Sequence, residues 1–325
     1  MIQITAFPRI HIGLSDLGFA SPRSFGGVGF SFSGPPTIWK VSHSKGLCLD
    51  GIDALDVAAQ EAVVNIAKKL VETLHSSFSA TLVRFAPQHV GYGSKTSLLL
   101  SLIASTSALS GIKPPYTEQI LLSGRGGASG IGCHTFLKGG FVWDGGHARN
   151  TVPTLLPSSL RTRGIETPPL LARWRFPPEW SVFTALSAEE RVAGGDEFRI
   201  WRENTPVDRS VALETISCIT HGIIPAIATG HLDTLCVSLI DLHSIGFKHA
   251  ELRARSASVQ NLLKTLHHEN FAAGMSSLGP LLYIITKDGT THNEERLRSI
   301  ISKFKVSLDG PFRGINHSPR IRRGD

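Results

Sequence analysis

At 325 residues, with 41% hydrophobic and 18% charged side chains, the chain has the composition of a folded globular protein with room for one large or two medium domains. Its formal net charge of +7 suits nucleic acid or anionic small substrates, and without a legible helix-turn-helix, zinc module or aromatic RNA-binding strand the expectation is phosphorylated small molecules and no nucleic acid. No apolar run approaches the roughly 20 residues of a membrane span and no charged-then-apolar leader opens the chain, so a cytoplasmic protein with no membrane partner is expected.

Residues 1 to 50 alternate strand-like runs with glycine turns: "IQITAFPRIHIGL", "GGVGFSFS" and "TIWKVSHS". Within "PRIHIGLSD", Arg9 and His11 fall on one face of a strand and Asp16 closes it. Residues 54 to 75 place Leu55, Ala59, Val63, Ile66, Leu70 and Leu74 at helical spacing and predict an amphipathic helix. "SATLVRFAP" returns as a strand and feeds "HVGYGSKTSLLLSLIAS", residues 89 to 105. There Gly91 and Gly93 free the backbone to bend, and Ser94, Thr96 and Ser97 offer hydroxyls and N–H groups at the start of a helix ending near Gly111. Such a helix start attracts phosphate. The spacing is neither that of a Walker loop nor of a dinucleotide fingerprint. Lys95 opposes the helix dipole unless an anion sits there.

A short helix before Gly124 leads into "GRGGASGIGCHTFLKGGFVWDGGH", residues 124 to 147. Arg125, Gly126, Gly127 and Ser129 lie where backbone can approach a ligand. Asp144 and His147 flank Gly145-Gly146, either as a plain turn or as a magnesium site or proton shuttle. Residues 151 to 178 read as a connector or active-site loop, in which Arg161, Arg163, Arg173 and Arg175 are solvated by default. A strand at "WSVFTALS", apolar helices near 210 to 228 and 232 to 246, a helix at 256 to 270, a strand at 279 to 286, a helix at 292 to 303 and a strand near 304 to 308 follow. Ser276 and Ser277 would bond phosphate or ribose hydroxyls, or simply form a turn. The closing "SPRIRRGD" is expected to be a solvated tail. Cys48, Cys133, Cys218 and Cys236 lack CxxC spacing and fit buried reduced thiols. The alternation predicts an α+β protein in two lobes, residues 1 to 170 and 171 to 325.

Three segments, "APQHVGYGSKTSLLLS", "GRGGASGIGCHTFLKGGFVWDGGH" and "AAGMSSLGPLLYIIT", resemble the conserved blocks of the GHMP kinase superfamily in order and spacing. With the opening "PRIHIGLSDLG…GGVGFSF" they are most similar to its β-ribofuranosylaminobenzene 5′-phosphate synthase branch, from about Phe7 to Tyr283. The resemblance implies an N-terminal lobe of ribosomal-S5-like type, a C-terminal ferredoxin-like lobe, a homodimer, and an active site between the lobes. It implies transfer of ribose from phosphoribosyl pyrophosphate to an aromatic or heteroaromatic carboxylate, with release of carbon dioxide and pyrophosphate. Related C-nucleoside synthases use a pyrazole dicarboxylate; kinases of the superfamily use ATP and often carry an aspartate in the second glycine block, where this chain reads Ala128-Ser129-Gly130-Ile131-Gly132.

Gripping a diphosphate calls for the glycine turn, Lys95 and a magnesium ion, with Asp144 as its expected ligand. Arginine holds a carboxylate bidentately, and Arg9, Arg23 and Arg125 are the candidates. Arg125, Asp144, His147 and Asp16 are the expected catalytic side chains. The chain departs from the family pattern at Lys95, where a small residue is usual, and at Leu278, where an aromatic one is.

Overall fold

The computed structural model describes residues 1–112, 114–157, 165–188, 195–287 and 291–324. The expected Arg161 and Arg163 lie outside the described residues. The chain opens with β1 (Ile2–Ala6), β2 (Arg9–Asp16), β3 (Arg23–Ser31), β4 (Thr37–His43) and β5 (Cys48–Asp50), then α1 (Val57–Leu74), β6 (Phe78–Arg84), α2 (Ser94–Leu109), α3 (Tyr116–Ser123) and α4 (Gly130–Lys138). Next come β7 (Phe141–Asp144), β8 (His147–Ala148), β9 (Leu170–Trp174), β10 (Trp180–Ser187), α5 (Gly195–Asn204), α6 (Arg209–Ser217), α7 (Ile224–Thr229), α8 (Leu232–Ser244) and α9 (Gly246–Arg253). The chain finishes with α10 (Ala257–His268), β11 (Ala272–Met275), β12 (Leu281–Lys287), α11 (Thr291–Ile301), β13 (Val306–Arg313) and β14 (Arg320–Arg323).

One sheet runs β14-β1-β4-β6-β5 and a second β2-β3-β7-β9 with β8 on β3; the third, β11-β12-β10-β13, carries the second lobe. Helix α1 is started by Asp56, whose side chain accepts from the Ala59 N–H. It lays Ala59, Val63, Ile66 and Leu70 against Ile4, Trp39 and Val41 of the first sheet, and α2 adds Leu98, Leu99, Leu102 and Ile103 to the same core. Twelve of the sixteen residues of α2 are buried, so the helix that begins at the glycine turn runs through the middle of its lobe. A second core joins Ile10, Ile12, Val28 and Phe30 of the second sheet to Tyr92 of the turn, Leu239 and Leu242 of α8, and Tyr283 of β12. That core fixes the two lobes against each other.

Two expectations change here. The basic tail is not free: β14 pairs antiparallel with β1, from Ile2↔Arg323 to Thr5↔Arg320, because β1 otherwise offers an unpaired sheet edge. The helical run from Arg209 to Thr229 reaches 21 residues at mean hydropathy 1.5, enough by length and composition for a membrane span. A π-helical turn at Cys218–Ile223 joins α6 to α7 without a break, and that backbone continuity is invisible in the residue pattern. Ile219, Ile223, Ala226 and Ile227 of this run are core residues. Of the four free cysteines, Cys133 and Cys236 are buried as expected, Cys218 is half-buried, and Cys48 is exposed.

The first lobe's second sheet extends past residue 170, since β9 pairs with β7 from Phe141↔Trp174 to Asp144↔Leu170. Arg173 there donates to the carbonyls of Gly139 and Asn316, and Arg175 is exposed. The second lobe packs α10 and α11 on its four-stranded sheet through Leu262, Leu266, Leu297 and Ile301. The opposite face of that sheet, through Val182, Tyr283 and Ile285, joins the core shared with α8, and the architecture is α+β in two lobes.

Candidate active site

The site begins at the glycine turn. Gly91 has φ +120°, and a Cβ there would stand 2.8 Å from the Ser276 carbonyl oxygen, so only glycine fits. Its own carbonyl accepts from Arg9 Nη1 at 2.8 Å and from Ser276 Oγ at 2.7 Å. Gly93, at φ +69°, precedes α2, and a Cβ there would meet Arg9 Cζ at 2.9 Å. The Arg9 guanidinium therefore lies against the bend itself. Tyr92 between the glycines is buried and shares a hydrogen bond with Thr184 of β10, which anchors the turn to the second lobe.

Helix α4 starts beside α2. A Cβ on Gly132 would come within 2.3 Å of Ser129 Oγ and 3.2 Å of Thr96 Cγ2, so missing side chains let the two helix starts approach. Thr96 Oγ1 donates to Ser129 Oγ at 3.1 Å and accepts from Arg125 Nε at 3.2 Å. Arg9 and Arg125 thus meet where two sets of helix-start N–H groups converge. Neither forms a salt bridge with a carboxylate among the described residues. Arg9 Nε is buried with no hydrogen-bond partner. Burial, and then the charge of Arg125, push the Arg9 guanidinium down to about 10; burial lowers Arg125 too. Both still carry charge at neutral pH, and the pair is short of an anion.

Asp144 and His147 are buried. Asp144 Oδ1 accepts the Gly146 N–H at 2.9 Å, and Oδ2 lies where a Cβ on Gly130 would be 2.5 Å away. Its carboxylate therefore faces the positive start of α4. His147 meets the Phe25 ring edge-on at 5.9 Å. Arg23 donates from Nε and Nη2 to the carbonyls of Gly145 and Gly146, both at 2.6 Å. It clamps the turn that sets these two side chains and lines a separate cavity with Arg149 and Arg209.

The cleft has a polar wall of Arg9, His11, Ser129, Gly130, Asp144 and His147. Its other wall is Leu14, Phe25, Trp201 and Leu278, with Glu197 and Glu251 on α5 and α9. Arg9 and His11 share a face as their spacing predicts. Ser276 accepts from the His11 N–H and Ser277 donates its N–H to the His11 carbonyl; Ser277 lines the cleft while Ser276 is wholly buried.

Several expected residues stand elsewhere. Asp16 spends both oxygens on its own loop, accepting from the N–H groups of Gly18, Ala20 and Ser21 and from Ser21 Oγ. Lys95 is exposed and does not line the cleft. Its charge acts on Asp56, where burial raises the carboxyl but is outweighed by the Ala59 N–H, His89 and Lys95. Ser97 bonds Thr37 and the Ser94 carbonyl in the interior, with Ser94 also buried. Gly126 and Gly127 pack against Thr167 and Ile165. Phe25, Trp201, Glu197 and Glu251 were not anticipated; Trp201, Glu197 and Glu251 come from helices without any motif. Leu278, singled out as a departure, does face the cleft.

No family model matches the chain. It is 30% identical over 303 residues to a β-ribofuranosylphenol 5′-phosphate synthase of Archaeoglobus fulgidus, covering 93% of each chain. It is 28% identical over 310 residues to a protein of the same name from Methanothermobacter thermautotrophicus, covering 93% of this chain and 94% of that one. Among solved structures, homoserine kinase from Cytophaga hutchinsonii superposes with a TM-score of 0.68 at 15% identity, over 98% of this chain and 97% of that one. Mevalonate diphosphate decarboxylase from Staphylococcus aureus superposes at 0.66 with 11% identity over 99% of each. The solved structures establish the GHMP-kinase-like fold alone, and the sequence relatives establish descent: this chain belongs to the family of the β-ribofuranosylphenol 5′-phosphate synthases.

Proposed function

We propose that the protein joins the ribose of phosphoribosyl pyrophosphate to an aromatic carboxylate through a carbon–carbon bond, releasing pyrophosphate and carbon dioxide. The observation that carries this reading is the anion-deficient Arg9–Arg125 pair at two converging helix starts, with Arg9 lining the same cleft as Phe25, Trp201 and Leu278 and Arg125 set behind it. The relatives are named for a ribofuranosyl 5′-phosphate joined to a phenol, which among aromatic carboxylates favours a hydroxylated benzoate as the acceptor.

Departure of pyrophosphate leaves an oxocarbenium-like anomeric carbon. Arg9, Arg125 and the N–H groups at the starts of α2 and α4 stabilise the departing negative charge, and they do so in a largely dry site where such donors count most. The ring carbon bearing the carboxylate attacks, and loss of carbon dioxide returns the bond pair to the ring. Phe25, Trp201 and Leu278 hold the ring and exclude water.

No group of three His, Cys, Asp or Glu side chains suited to a metal occurs among the described residues. Asp144, facing the start of α4, is the residue that would hold a magnesium ion, and the ion would supply charge neutralisation for the diphosphate.

The test is an assay of phosphoribosyl pyrophosphate and magnesium with a panel of hydroxybenzoates, aminobenzoates and a pyrazole dicarboxylate. Equimolar pyrophosphate and carbon dioxide with a hydroxybenzoate supports the reading. Label moving from the terminal phosphate of ATP to an acceptor hydroxyl overturns it.

A further inference from the structure

The apolar end of the cleft contains an ion pair that the reaction as described does not use. Helix α9 carries Lys248 and Glu251 one turn apart, with Lys248 Nζ donating to Glu251 Oε2 at 2.7 Å and side chains only 4% and 9% exposed. Buried pairs of this kind add little net stability, because desolvation offsets their attraction. Glu251 lines the cleft beside Trp201 and Leu278, whereas Lys248 lies behind it on a small separate cavity that both residues share. Oε1 of Glu251 receives no hydrogen bond from the described residues. His243, packed nearby, does not compete for that carboxylate. Its Nδ1 bonds the Leu239 carbonyl and its Nε2 accepts the Met275 N–H, while burial and the Lys248 charge hold it neutral. The cleft thus has a cationic wall at Arg9 and a carboxylate, oriented from behind by an ammonium, among its aromatic residues.

We propose that Glu251 binds the ring hydroxyl of the acceptor and takes its proton as the ring carbon bonds to ribose, with Lys248 as its positioning residue. The inference rests on the transferase reading above. Opposite charges at two places in the cleft orient a hydroxybenzoate, with its carboxylate-bearing carbon toward the sugar whose diphosphate Arg9 holds and its hydroxyl toward Glu251. A hydroxyl para to the attacked carbon is conjugated with it. As the O–H proton passes to Glu251 Oε1, the oxygen pair moves through the ring, the new carbon–carbon bond forms, and the bond to pyrophosphate breaks with its electrons leaving on oxygen. The carbon–carboxylate bond then breaks, its pair restores the aromatic ring, and the proton returns from Glu251 to the phenol oxygen. Glu251 finishes as it began.

The probe is 4-hydroxybenzoate, compared with its more acidic 3,5-difluoro analogue, on the full-length wild type and on Glu251→Gln and Glu251→Asp. With 4-hydroxybenzoate, Glu251→Gln lowers kcat/KM by roughly 100-fold, the low end of what a placed proton acceptor supplies. KM for phosphoribosyl pyrophosphate is unchanged, and the loss shrinks at least tenfold with the difluoro ring, which needs less help to give up its proton; Glu251→Asp keeps part of the activity. Equal losses on both rings, or wild-type kcat/KM in Glu251→Gln, overturn the proposal. Binding of 4-hydroxybenzoate to the wild type roughly tenfold tighter than that of benzoate, the scale of a hydrogen bond to a charged group, with the preference lost in Glu251→Gln, supports the contact independently of turnover. That preference in a wild type that releases no carbon dioxide sinks the transferase reading but keeps the contact, while its absence from an active wild type sinks the contact alone.

Discussion

The cation of the glycine turn is Arg9, and its cost and use have one cause. A buried guanidinium beside another, with Nε unpartnered, is unfavourable in the empty protein and favourable once an anion binds. Arg9→Ala and Arg125→Ala should each lower kcat/KM by about 10²–10³-fold, the scale of losing one charge-stabilising donor. Arg125→Met should at the same time leave the melting temperature unchanged or raise it, since no carboxylate partner is orphaned. Lys95→Ala provides the contrast. Its charge acts on Asp56 from an exposed position, so stability should change by less than about 1 kcal/mol and turnover by less than about threefold. Steady-state kinetics and thermal melts on the four variants check the set. The sequence put a lysine where the dipole disfavours one, and the physical reason it is tolerated lies one helix away at Asp56, a neighbour that only the folded chain supplies.

At the scale of elements, the start of α2 is set by two glycines rather than by a capping side chain. Gly93→Ala forces an L residue to φ +69° and drives its Cβ toward the Arg9 guanidinium. The backbone strain is about 1–2 kcal/mol, but moving Arg9 should cost activity out of proportion to that strain. A variant whose kcat/KM follows its stability would contradict this coupling. β14 is an edge strand held to β1 by its ladder and by the Met1 amino group on the Gly324 carbonyl. Deleting residues 319–325 should lower the melting temperature and promote association, because β1 is then left as an open edge; light scattering on heating reads the effect. Period-based reasoning found α1, α2, α10 and β12 because each buries one regular face or a long apolar run. It missed α5 and α9, whose short polar patterns resemble loops and which become helices by packing Trp201 against Phe247 at 4.6 Å.

For the whole molecule, both the anion site and three histidines, His243 buried and His134 and His267 half-buried, tie stability to solution conditions. Pyrophosphate at about 100 times its dissociation constant should stabilise the fold by about 2.7 kcal/mol, a rise of roughly 3–5 °C for a chain of this size, and Arg9→Ala should abolish the rise. Burial lowers His134, His243 and His267, the second well below its ordinary range. The folded protein therefore refuses protons that the unfolded chain accepts below about pH 6.5. Stability is full above that pH and declines as pH falls through it, by up to about 1.4 kcal/mol per pH unit for each histidine. Denaturation midpoints at pH 8, 6.5 and 5 read this directly, and equal midpoints would contradict it.

The sequence by itself determined the α+β class, the principal helices, the bend at Gly91–Gly93 and the meeting of Arg125, Asp144 and His147 in one glycine-rich block, since local spacing and backbone freedom are written residue by residue. Tertiary structure decided which of those groups face the cleft. It turned Asp16 into a loop brace and Arg23 into a clamp on the Asp144 turn, and it brought Trp201, Glu197 and Glu251 from distant helices to the same wall. Side-chain direction depends on how lobes dock and where charges find partners, and those are long-range contacts that no short stretch of chain encodes.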